Sequence, residues 1–371
     1  MKKIMFVFGT RPEGIKLAPL IIKAKLRKDQ FESFVVNSAQ HRSMLDDVLE
    51  SFEIKPDRDL NIMTPNQSLH YITSKILAEM ENIIKEMDPD IIVVQGDTTT
   101  TMAAALSGFY SRKKIAHVEA GLRTDNRFSP FPEEVNRKMT SSIVDYHFAP
   151  TESARKNLLN EGYDDAHVYI TGNTVIDALL WTAYKTKDLS CPIQELTPVL
   201  DRFSRFILIT GHRRESFGAP IRNILTALRQ LSMANPQVAF IYPVHMNPNV
   251  KKPVLELLKG LPNFFLVDPI PYRPFCWLLN HCYFTITDSG GIQEEAPALG
   301  KPTIVTRETT ERPEAVNEGM AKLAGSDKEL IIQTAQRLLD DNTYYKSMAK
   351  GYSPYGDGKA SERILDILAD D

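Results

Sequence analysis

The chain has 371 residues, of which 43% are hydrophobic and 25% are charged, and its formal net charge is −3. This length accommodates two ordinary domains, and the composition is average for a soluble protein. A net charge so close to zero argues against an electrostatic field that recruits nucleic acid or an anionic membrane. The three cysteines include no CxxC pair, which favours a reducing compartment over a zinc module. We therefore expect a cytoplasmic protein without nucleic-acid or membrane partners.

Short apolar runs recur along the chain, and each is followed by a turn and a helical pattern. They include KIMFVFG, ESFVVNSAQ, DIIVVQGD and IAHVEAG in the first half, and RFILITGH, AFIYPVH, FFLVDP and YFTITDSGG in the second. Continuous apolar strands that alternate with helices predict parallel sheets covered on both faces. We predict an α/β fold of two doubly wound, Rossmann-like domains, residues 1–172 and 173–371. We allow for the last helix, SERILDILAD, to pack back on the first domain.

The residues that follow the apolar runs are unusually polar. In open parallel sheets, ligands bind beyond the carboxyl ends of the strands. Two sheets that face each other would bring both sets of strand ends into one interdomain cleft, where we expect the active site. The polar strand ends are Thr10-Arg11, Gln40-His41, Gly96-Asp97, Glu119, His212-Arg213, His245 and Asp288-Ser289-Gly290-Gly291.

The stretch TDSGGIQEEAPALGKP, residues 287–302, begins a helix directly after a strand. Gly290 and Gly291 let the backbone approach a ligand, and a helix N-terminus offers free N–H groups to an anion. A glutamate one turn further could accept hydrogen bonds from ribose hydroxyls, as in dinucleotide sites. The alternative is structural: Ser289 caps the helix, and Glu294 and Glu295 favour its dipole.

Other cations stand at strand ends. Arg11 and Lys16 lie in the first turns of a helix, His212 follows a strand, and Arg312 precedes a helix, so these side chains are candidates for a diphosphate. The alternative for each is a solvated or structural side chain. No GxxxxGK[ST], GxGxxG or HExxH pattern is present, and we therefore expect neither a metal nor a nicotinamide cofactor.

Three acidic segments follow neighbouring strands of the first half. They contribute Asp97 in QGDTTTT, Glu119 in HVEAGLRT, and Glu133 with Glu134 in FPEEVNR. Each has a structural alternative: a helix cap for Asp97, an ion pair with Arg123 for Glu119, and a helix dipole for one of the paired glutamates. Acids packed together raise one another's pKa values, which suits general acid–base catalysis near neutral pH.

Together these segments indicate a two-domain enzyme of nucleoside-diphosphate chemistry, which resembles the glycosyltransferase-B architecture. The motif series is similar, over nearly the whole chain and in order, to that of bacterial non-hydrolysing UDP-N-acetylglucosamine 2-epimerases. It comprises FGTRPEGIKLAPL, QGDTTTTMAAALSGFY, HVEAGLRT, PFPEEVNR, GNTVIDAL, TGHRRESFG, YPVHMNPNV, TDSGGIQEEAPALGKP and TTERPEAV. The resemblance implies C2 epimerisation of a UDP-sugar through a 2-acetamidoglucal, without a redox cofactor. It also implies a homodimer and a product used in surface polysaccharide synthesis.

The resemblance also assigns residues. The family's acid/base carboxylates correspond to Asp97, Glu119 and Glu133, and their order of action stays open. His212 matches the histidine near the diphosphate, and Phe275 lies in the segment that flanks the uracil. The other UDP-binding positions match Arg11, Lys16, Ser289, Gly290, Gly291, Glu295 and Arg312. Residues that bind a second, activating UDP-sugar in some members match Gln40 and His41, with Arg213 and His245 nearby.

Three other functions stay open at this point. A hydrolysing epimerase passes through the same glucal but releases UDP and free N-acetylmannosamine. A glycosyltransferase shares the architecture and the ribose-binding glutamate but needs an acceptor site. A UDP-sugar sensor would bind the ligand without turning it over.

Overall fold

The computed structural model describes residues 1–310 and 312–370. The chain divides into two compact units, which we call the first unit (Met1–Trp181 with Tyr355–Asp371) and the second unit (Thr182–Pro354). Asp371 lies outside the described residues. Each unit is built on one parallel sheet, which confirms the predicted α/β class with two doubly wound sheets.

The first unit contains a seven-stranded sheet in the described part of the chain. Its strands are β1 (Lys2–Phe8), β2 (Phe31–Asn37), β3 (Arg58–Asp59), β4 (Ile91–Gln95), β5 (Lys114–Val118), β6 (Tyr146–Ala149) and β7 (Val168–Ile170). Their order across the sheet is β3-β2-β1-β4-β5-β6-β7, so the strand order reverses between β1 and β4. The α-helices that begin between its strands or directly after them are α1 (Arg11–Leu26), α2 (Ser43–Ser51), α3 (Leu69–Met87), α4 (Thr99–Tyr110), α5 (Glu133–Ser141), α6 (Glu152–Asn160) and α7 (Thr174–Thr186), and the last helix of the chain joins them.

The second unit contains a six-stranded sheet among the described residues. Its strands are β8 (Phe206–Thr210), β9 (Ala239–Pro243), β10 (Phe264–Val267), β11 (Phe284–Thr287), β12 (Thr303–Val305) and β13 (Ala321–Leu323). They are ordered β10-β9-β8-β11-β12-β13, which reverses between β8 and β11. The helices are α8 (Thr197–Arg202), α9 (Ala219–Ala234), α10 (Pro248–Leu258), α11 (Tyr272–His281), α12 (Gly290–Ala298), α13 (Glu314–Asn317), α14 (Lys328–Asp340) and α15 (Asn342–Met348).

The strands are buried on both faces, as their continuous apolar sequences predict. Residues 4–8 of β1 and all of β4 are buried, which is typical of parallel strands covered by helices on both sides. One core of the first unit joins β1 and β4 to α3, and a core of the second unit joins β8 and β11 to α9. Representative residues are Met5, Val7, Ile76, Met80, Ile92 and Val94 in the first, and Ile207, Ile209, Leu225, Leu228, Phe240 and Phe284 in the second.

The division between the units differs from the boundary expected at residues 172/173. Residues up to Trp181 belong to the first unit, and so does the last helix, α16 (Ala360–Asp370), for which the sequence analysis allowed this placement. The reason is a set of contacts that the sequence does not reveal. The carboxylate of Asp177 on α7 accepts hydrogen bonds from the backbone N–H groups of Ala360 and Ser361, at 3.2 and 2.8 Å, at the start of α16. At the other end of α16, Lys2 donates to the carbonyls of Leu368 and Ala369.

In the part of the chain that the structure describes, no helix is both long enough and apolar enough to cross a membrane.

Candidate functional site

In both sheets, predicted site residues follow the two strands at which the strand order reverses. Arg11 and Asp97 come after β1 and β4 of the first unit, and His212 and Ser289 come after β8 and β11 of the second. Such a reversal leaves a crevice at the carboxyl ends of the strands, which is where ligands bind in doubly wound sheets. Topology alone therefore selects these residues from the many polar side chains of each unit.

The turn after β1 is fixed by a buried glutamate that the sequence analysis did not single out. One carboxylate oxygen of Glu13 accepts the backbone N–H groups of Gly9 and Thr10, at 3.1 and 2.8 Å. The other oxygen accepts the hydroxyls of Thr98 and Thr101, at 2.7 and 2.9 Å. Burial raises the pKa of Glu13, although these hydrogen bonds oppose the effect. Glu13 thus ties the β1 turn to the start of α4, directly beside Asp97.

Gly9 is required by close packing in the same turn. A Cβ atom at this position would lie 1.9 Å from the Ser38 hydroxyl oxygen and 2.6 Å from that of Thr100. Contacts this short do not occur between real side-chain atoms, so only glycine fits without rearrangement.

Glu119 follows β5 and is held by three donors. Both of its carboxylate oxygens contact the Lys16 ammonium, at 2.6 and 2.7 Å. The side-chain amides of Gln95 and Asn173 donate to the same carboxylate. Glu119 also has a φ of 68°, in the left-handed region that residues with a side chain rarely adopt. Such backbone strain clusters at functional sites. The alternative partner, Arg123, instead pairs with Glu161 at 2.7 Å.

Asp97 has a cation of its own. An Nη atom of Arg137 lies 2.6 Å from Asp97 Oδ2, and the other Nη lies 3.0 Å from Glu134 Oε2. The Asn136 amide donates to the Asp97 carbonyl at 2.9 Å. Burial acts to lower the pKa of Arg137, but the two carboxylates outweigh it and raise that pKa. The helix cap considered for Asp97 is provided by Thr98, whose side chain accepts the Thr101 N–H.

The paired glutamates at the start of α5 have different surroundings. Glu134 is almost fully buried and accepts the backbone N–H groups of Thr124 and Asp125 as well as the Arg137 guanidinium. Glu133 has a buried carboxylate oxygen, Oε2, without a hydrogen-bond partner among the described residues. Glu134 therefore stabilises the loop before α5, whereas Glu133 retains an acceptor for another group.

A buried histidine lies beneath these acids. His117 on β5 is fully buried and its Nε2 lies 2.7 Å from the carbonyl oxygen of Gly96, the residue before Asp97. Burial lowers the pKa of His117 to about 4, and the charge of Arg123 adds to the effect, while Glu119 and Asp97 oppose it. Neutral imidazole therefore donates to this carbonyl and fixes the backbone on which Asp97 stands.

The remaining predicted residues of the first unit lie around the β1 and β2 ends. The side-chain oxygen of Gln40 accepts the N–H and the hydroxyl of Thr100, and its backbone carbonyl accepts the Gln67 amide. The His41 N–H donates to the Gly9 carbonyl at 2.9 Å. Arg11 is half-buried in the first turn of α1. Gln40 and His41 thus belong to the same loop cluster as the β1 turn.

In the second unit, Asp288 organises the loop after β8. Its Oδ2 accepts the backbone N–H groups of His212 and Arg213, both at 2.8 Å, and its Oδ1 lies 3.5 Å from Nδ1 of His212. The His212 ring stacks on His245 with centroids 5.6 Å apart. Partial burial lowers the pKa of His212, and the negative charge of Asp288 opposes this. The structure brings His212 and His245 together, and Asp288, which had no predicted role of its own, holds the backbone of His212 and Arg213.

Two guanidinium groups converge on the first residue of α12. A Cβ atom on Gly290 would lie 3.1 Å from Nη1 of Arg312 and 3.5 Å from Nη2 of Arg213. Ser289 precedes the helix but makes no side-chain cap to it, and Gly291 is half-buried. A helix N-terminus flanked by two cations favours an anion. Of the structural alternative for the GGIQEE segment, the cap by Ser289 is not formed, and the binding of an anion there stays a prediction.

The two glutamates of α12 are both buried, at 3% and 7% exposure for Glu294 and Glu295. Glu294 forms an ion pair with Nε of Arg312. Phe275, in the first turn of α11, is half-buried. The structure thus pairs Glu294 with Arg312, and the predicted roles of Glu295 and Phe275 stay predictions.

Several partners of the site were not found from sequence, although some signals existed. Asn173 lies three residues after the end of β7, and Gln95 ends β4, so both stand near strand ends, where polar residues are informative. Arg137 lies one helical turn after Glu134, a spacing that places both on one face. Among the described residues, no three His, Cys, Asp or Glu side chains are grouped so that they could hold a metal ion.

Comparison with known proteins identifies the family. A family model described as UDP-N-acetylglucosamine 2-epimerase matches residues 24–369. The chain is 52% identical over 369 residues to a UDP-N-acetylglucosamine 2-epimerase of Yersinia pestis, covering 99% of this chain and 98% of that protein. It is 50% identical over 370 residues to that of Escherichia coli (strain K12), with coverage of 99% and 98%.

Solved structures agree with the sequence comparison. The UDP-GlcNAc 2-epimerase of Neisseria meningitidis, bound to UDP-GlcNAc, has a TM-score of 0.91 and 46% identity, and the match covers 100% of both chains. The enzyme of Methanocaldococcus jannaschii, in complex with UDP-GlcNAc and UDP, has a TM-score of 0.81 and 33% identity, again over 100% of both chains. The chain therefore belongs to the UDP-N-acetylglucosamine 2-epimerase family.

Proposed function

We propose that this chain interconverts UDP-N-acetylglucosamine and UDP-N-acetylmannosamine by inverting C2 of the sugar without net hydrolysis. The observation that carries the proposal is the pairing of Lys16 with Glu119 and of Arg137 with Asp97, within a chain of this family. Cations hold two carboxylates at neighbouring strand ends of the first unit, where proton transfer needs fixed acceptors. The carboxylate oxygen of Glu133 without a partner supplies a third acceptor.

The proposed reaction is an elimination followed by an addition. A carboxylate removes the C2 proton while the C1–O bond to UDP breaks, so the electron pair of the C–H bond becomes the C1=C2 bond of 2-acetamidoglucal. A protonated group then delivers a proton to the opposite face of C2, and the β-phosphate oxygen of UDP adds to C1. We assign the proton transfers to Asp97, Glu119 and Glu133, without fixing which acts first. No electrons leave the substrate, so the reaction requires no redox cofactor.

The second unit contributes groups suited to the leaving UDP. Arg312, Ser289, Gly290 and Gly291 surround the start of α12, which favours the diphosphate. His212 is assigned to the same diphosphate as a stabiliser of the departing charge. We further assign Glu295 to the ribose hydroxyls and Phe275 to the uracil, with Arg11 and Lys16 of the first unit as additional UDP contacts. The pairing of Lys16 with Glu119 gives Lys16 a second task, which is to orient that carboxylate.

The wider setting is also part of the proposal. A homodimeric state, a cytoplasmic location and a product used in surface polysaccharide synthesis follow from the family resemblance. The three free cysteines suit a reducing compartment. Activation by a second UDP-sugar at Gln40, His41, Arg213 and His245 is a separate proposal, which the position of Gln40 and His41 beside the β1 turn supports.

A proton NMR time course in deuterium oxide tests the reaction. We expect UDP-N-acetylglucosamine, incubated with the protein without added metal or NAD, to yield UDP-N-acetylmannosamine carrying deuterium at C2. Steady release of UDP and free N-acetylmannosamine would instead identify a hydrolysing enzyme. Binding of UDP without any exchange at C2 would contradict the proposal and favour a transferase or a sensor. Asp97→Asn is the matched variant: it should abolish exchange while UDP still binds.

A further inference from the structure

A residue of α12 restrains the side chain of Arg312. Its Nε donates to Oε1 of Glu294, and the two side chains are only 18% and 4% exposed. A carboxylate so nearly closed to solvent forms a strong, directional hydrogen bond with a guanidinium. Glu294 therefore restrains a side chain that is otherwise long and flexible.

The main chain of Arg312 is also restrained. Thr310 links it to Gln293, the residue that precedes Glu294 in α12. The backbone N–H of Arg312 donates to the hydroxyl oxygen of Thr310 at 3.1 Å, and that hydroxyl donates to Oε1 of Gln293 at 2.6 Å. The Gln293 amide in turn donates to the carbonyl of Ser289 at 3.2 Å. Gln293 is 1% exposed, so this chain of hydrogen bonds is shielded from water. Two consecutive residues of α12, Gln293 and Glu294, thus hold Thr310 and Arg312 near the start of the same helix.

The two restraints fix the direction of the guanidinium. Nε faces Glu294, while Nη1 and Cζ lie 3.1 and 3.2 Å from the position that a Cβ of Gly290 would occupy. The guanidinium of Arg213 approaches the same point to 3.5 Å, and its buried Nε has no hydrogen-bond partner in the described chain. Two like charges this close repel each other unless an anion lies beside them. Glu294 supplies one such anion at the back of Arg312.

We propose that Glu294 is a positioning residue, which acts through Arg312 and does not itself contact the ligand. Together with Gln293 and Thr310, it directs the guanidinium of Arg312 towards the N-terminus of α12, where a pyrophosphate group binds. The two adjacent acids of the GGIQEE segment therefore have different tasks: Glu294 orients a phosphate-binding arginine, and the proposed function assigns Glu295 to the ribose. This inference rests on the proposed function for the identity of the ligand.

A double-mutant cycle on UDP binding tests the inference. We expect Glu294→Gln to weaken UDP binding about 30-fold, the effect of one charge-assisted hydrogen bond. Uridine, which lacks the diphosphate, should bind the wild type and Glu294→Gln with equal affinity. In an Arg312→Gln background, Glu294→Gln should have no further effect on UDP, because a residue that acts through Arg312 has nothing left to orient. Isothermal titration calorimetry of the wild type, both single variants and the double variant gives all four affinities.

Three further variants guard against a merely structural effect. Thr310→Val removes the hydroxyl link but leaves Glu294 in place, and it should weaken UDP binding about 3-fold without changing uridine binding. Glu295→Gln is the matched neighbour, and it should weaken uridine and UDP in the same proportion. Glu294→Asp retains the charge and should recover part of the UDP affinity lost in Glu294→Gln.

The inference fails if Glu294→Gln weakens UDP as strongly in the Arg312→Gln background as in the wild type, since Glu294 would then contact the ligand directly. It also fails if uridine affinity falls together with UDP affinity. If the wild type does not bind UDP at all, this inference and the proposed function are both wrong. If UDP binds with the expected coupling but no exchange occurs at C2, only the proposed reaction is wrong.

Discussion

The ammonium nitrogen of Lys16 lies 2.6 and 2.7 Å from the two carboxylate oxygens of Glu119. The side chains are 14% and 6% exposed, so each charge depends on the other for compensation. Lys16 lies in the second turn of α1, where a cation opposes the helix dipole. The ion pair with Glu119 offsets this small unfavourable interaction with the dipole of α1.

We predict that Lys16→Met lowers the free energy of unfolding by about 3 kcal/mol, because it leaves a buried carboxylate without its cation. Urea unfolding measures this change. The matched control is Lys23→Met on the same helix, whose partner Glu362 is 46% exposed, and it should cost at most about 1 kcal/mol. Equal costs for the two variants would contradict the assigned role. Adding Glu119→Gln to Lys16→Met should restore part of the stability, since the unpaired charge is then removed.

We predict that Arg137→Lys lowers the rate of C2 exchange about 100-fold and leaves the affinity for UDP unchanged. Arg137 contacts Asp97 and Glu134 with different nitrogens, and a lysine ammonium cannot span both carboxylates in this way. Deuterium incorporation and UDP titration give the two readouts. Lys138→Ala is the control, since that side chain is 50% exposed, and it should behave as the wild type. An unchanged exchange rate in Arg137→Lys would show that Asp97 needs no anchor.

Gly290→Ala should weaken UDP binding about tenfold, which corresponds to about 1.4 kcal/mol. The added methyl group would lie 3.1 Å from Nη1 of Arg312, which is tighter than nine in ten real contacts, and would push that guanidinium away from the helix start. Uridine serves as the internal control, and its affinity should not change. A variant that binds UDP as tightly as the wild type would show that the close approach of the arginines is unimportant for binding.

The sequence predicted both sheets because their strands are continuous apolar runs that end in polar residues. It missed β3 and β13 because their sequences, RD and AKL, contain no continuous apolar run. It placed the boundary at residues 172/173, whereas the contacts between Asp177 and α16 assign residues up to Trp181 to the first unit. Those contacts join positions more than 180 residues apart.

The site shows the same limit of the sequence, because its contacts join positions that are far apart in the chain. Asp97 and Glu119 could be predicted as site residues from the sequence because each lies just after the end of a strand. Their partners Arg137 and Asn173 are 40 and 54 positions away, and only the order of strands in the sheet brings them near. Sequence reasoning considered Arg123 for Glu119 because it is close in the chain, but the helix and loop geometry directs Arg123 to Glu161. Proximity in sequence was therefore a poor guide to ion pairing.

We predict that His117→Gln reduces the loss of stability at acid pH. The pKa of His117 is about 4 in the folded protein, below its ordinary value of 6.5, so the unfolded chain binds a proton that the folded one does not. Stability is therefore complete above pH 6.5 and falls as the pH drops towards 4, by about 1.4 kcal/mol per pH unit for this group. Glutamine retains a donor for the Gly96 carbonyl and does not titrate.

The measurement is the free energy of unfolding in urea between pH 4 and 7, and the slope is the readout because the substitution also changes core packing. The slope of the unfolding free energy against pH should be smaller for His117→Gln than for the wild type. The difference should correspond to at most one proton. Burial also lowers the pKa of His147, to about 3, with His117 as the next contributor. The double variant with His147→Gln should therefore flatten the slope further. Identical slopes for the wild type and both variants would rule out the buried histidines as a source of acid instability.

The last helix should contribute to the stability of the first unit through Asp177. This residue is 4% exposed, and its carboxylate accepts two backbone N–H groups at the start of α16, as an N-cap residue does within its own helix. We predict that Asp177→Ala lowers the free energy of unfolding by about 2 kcal/mol, because two buried donors lose their acceptor. Glu362→Ala, which removes only the largely exposed ion pair between α16 and Lys23, should cost at most about 1 kcal/mol. Limited proteolysis on the N-terminal side of α16 separates the two roles. Faster cleavage of Asp177→Ala than of Glu362→Ala would show that the cap holds the helix in place. Equal cleavage rates would assign that role to the apolar face formed by Ile364, Leu365 and Leu368.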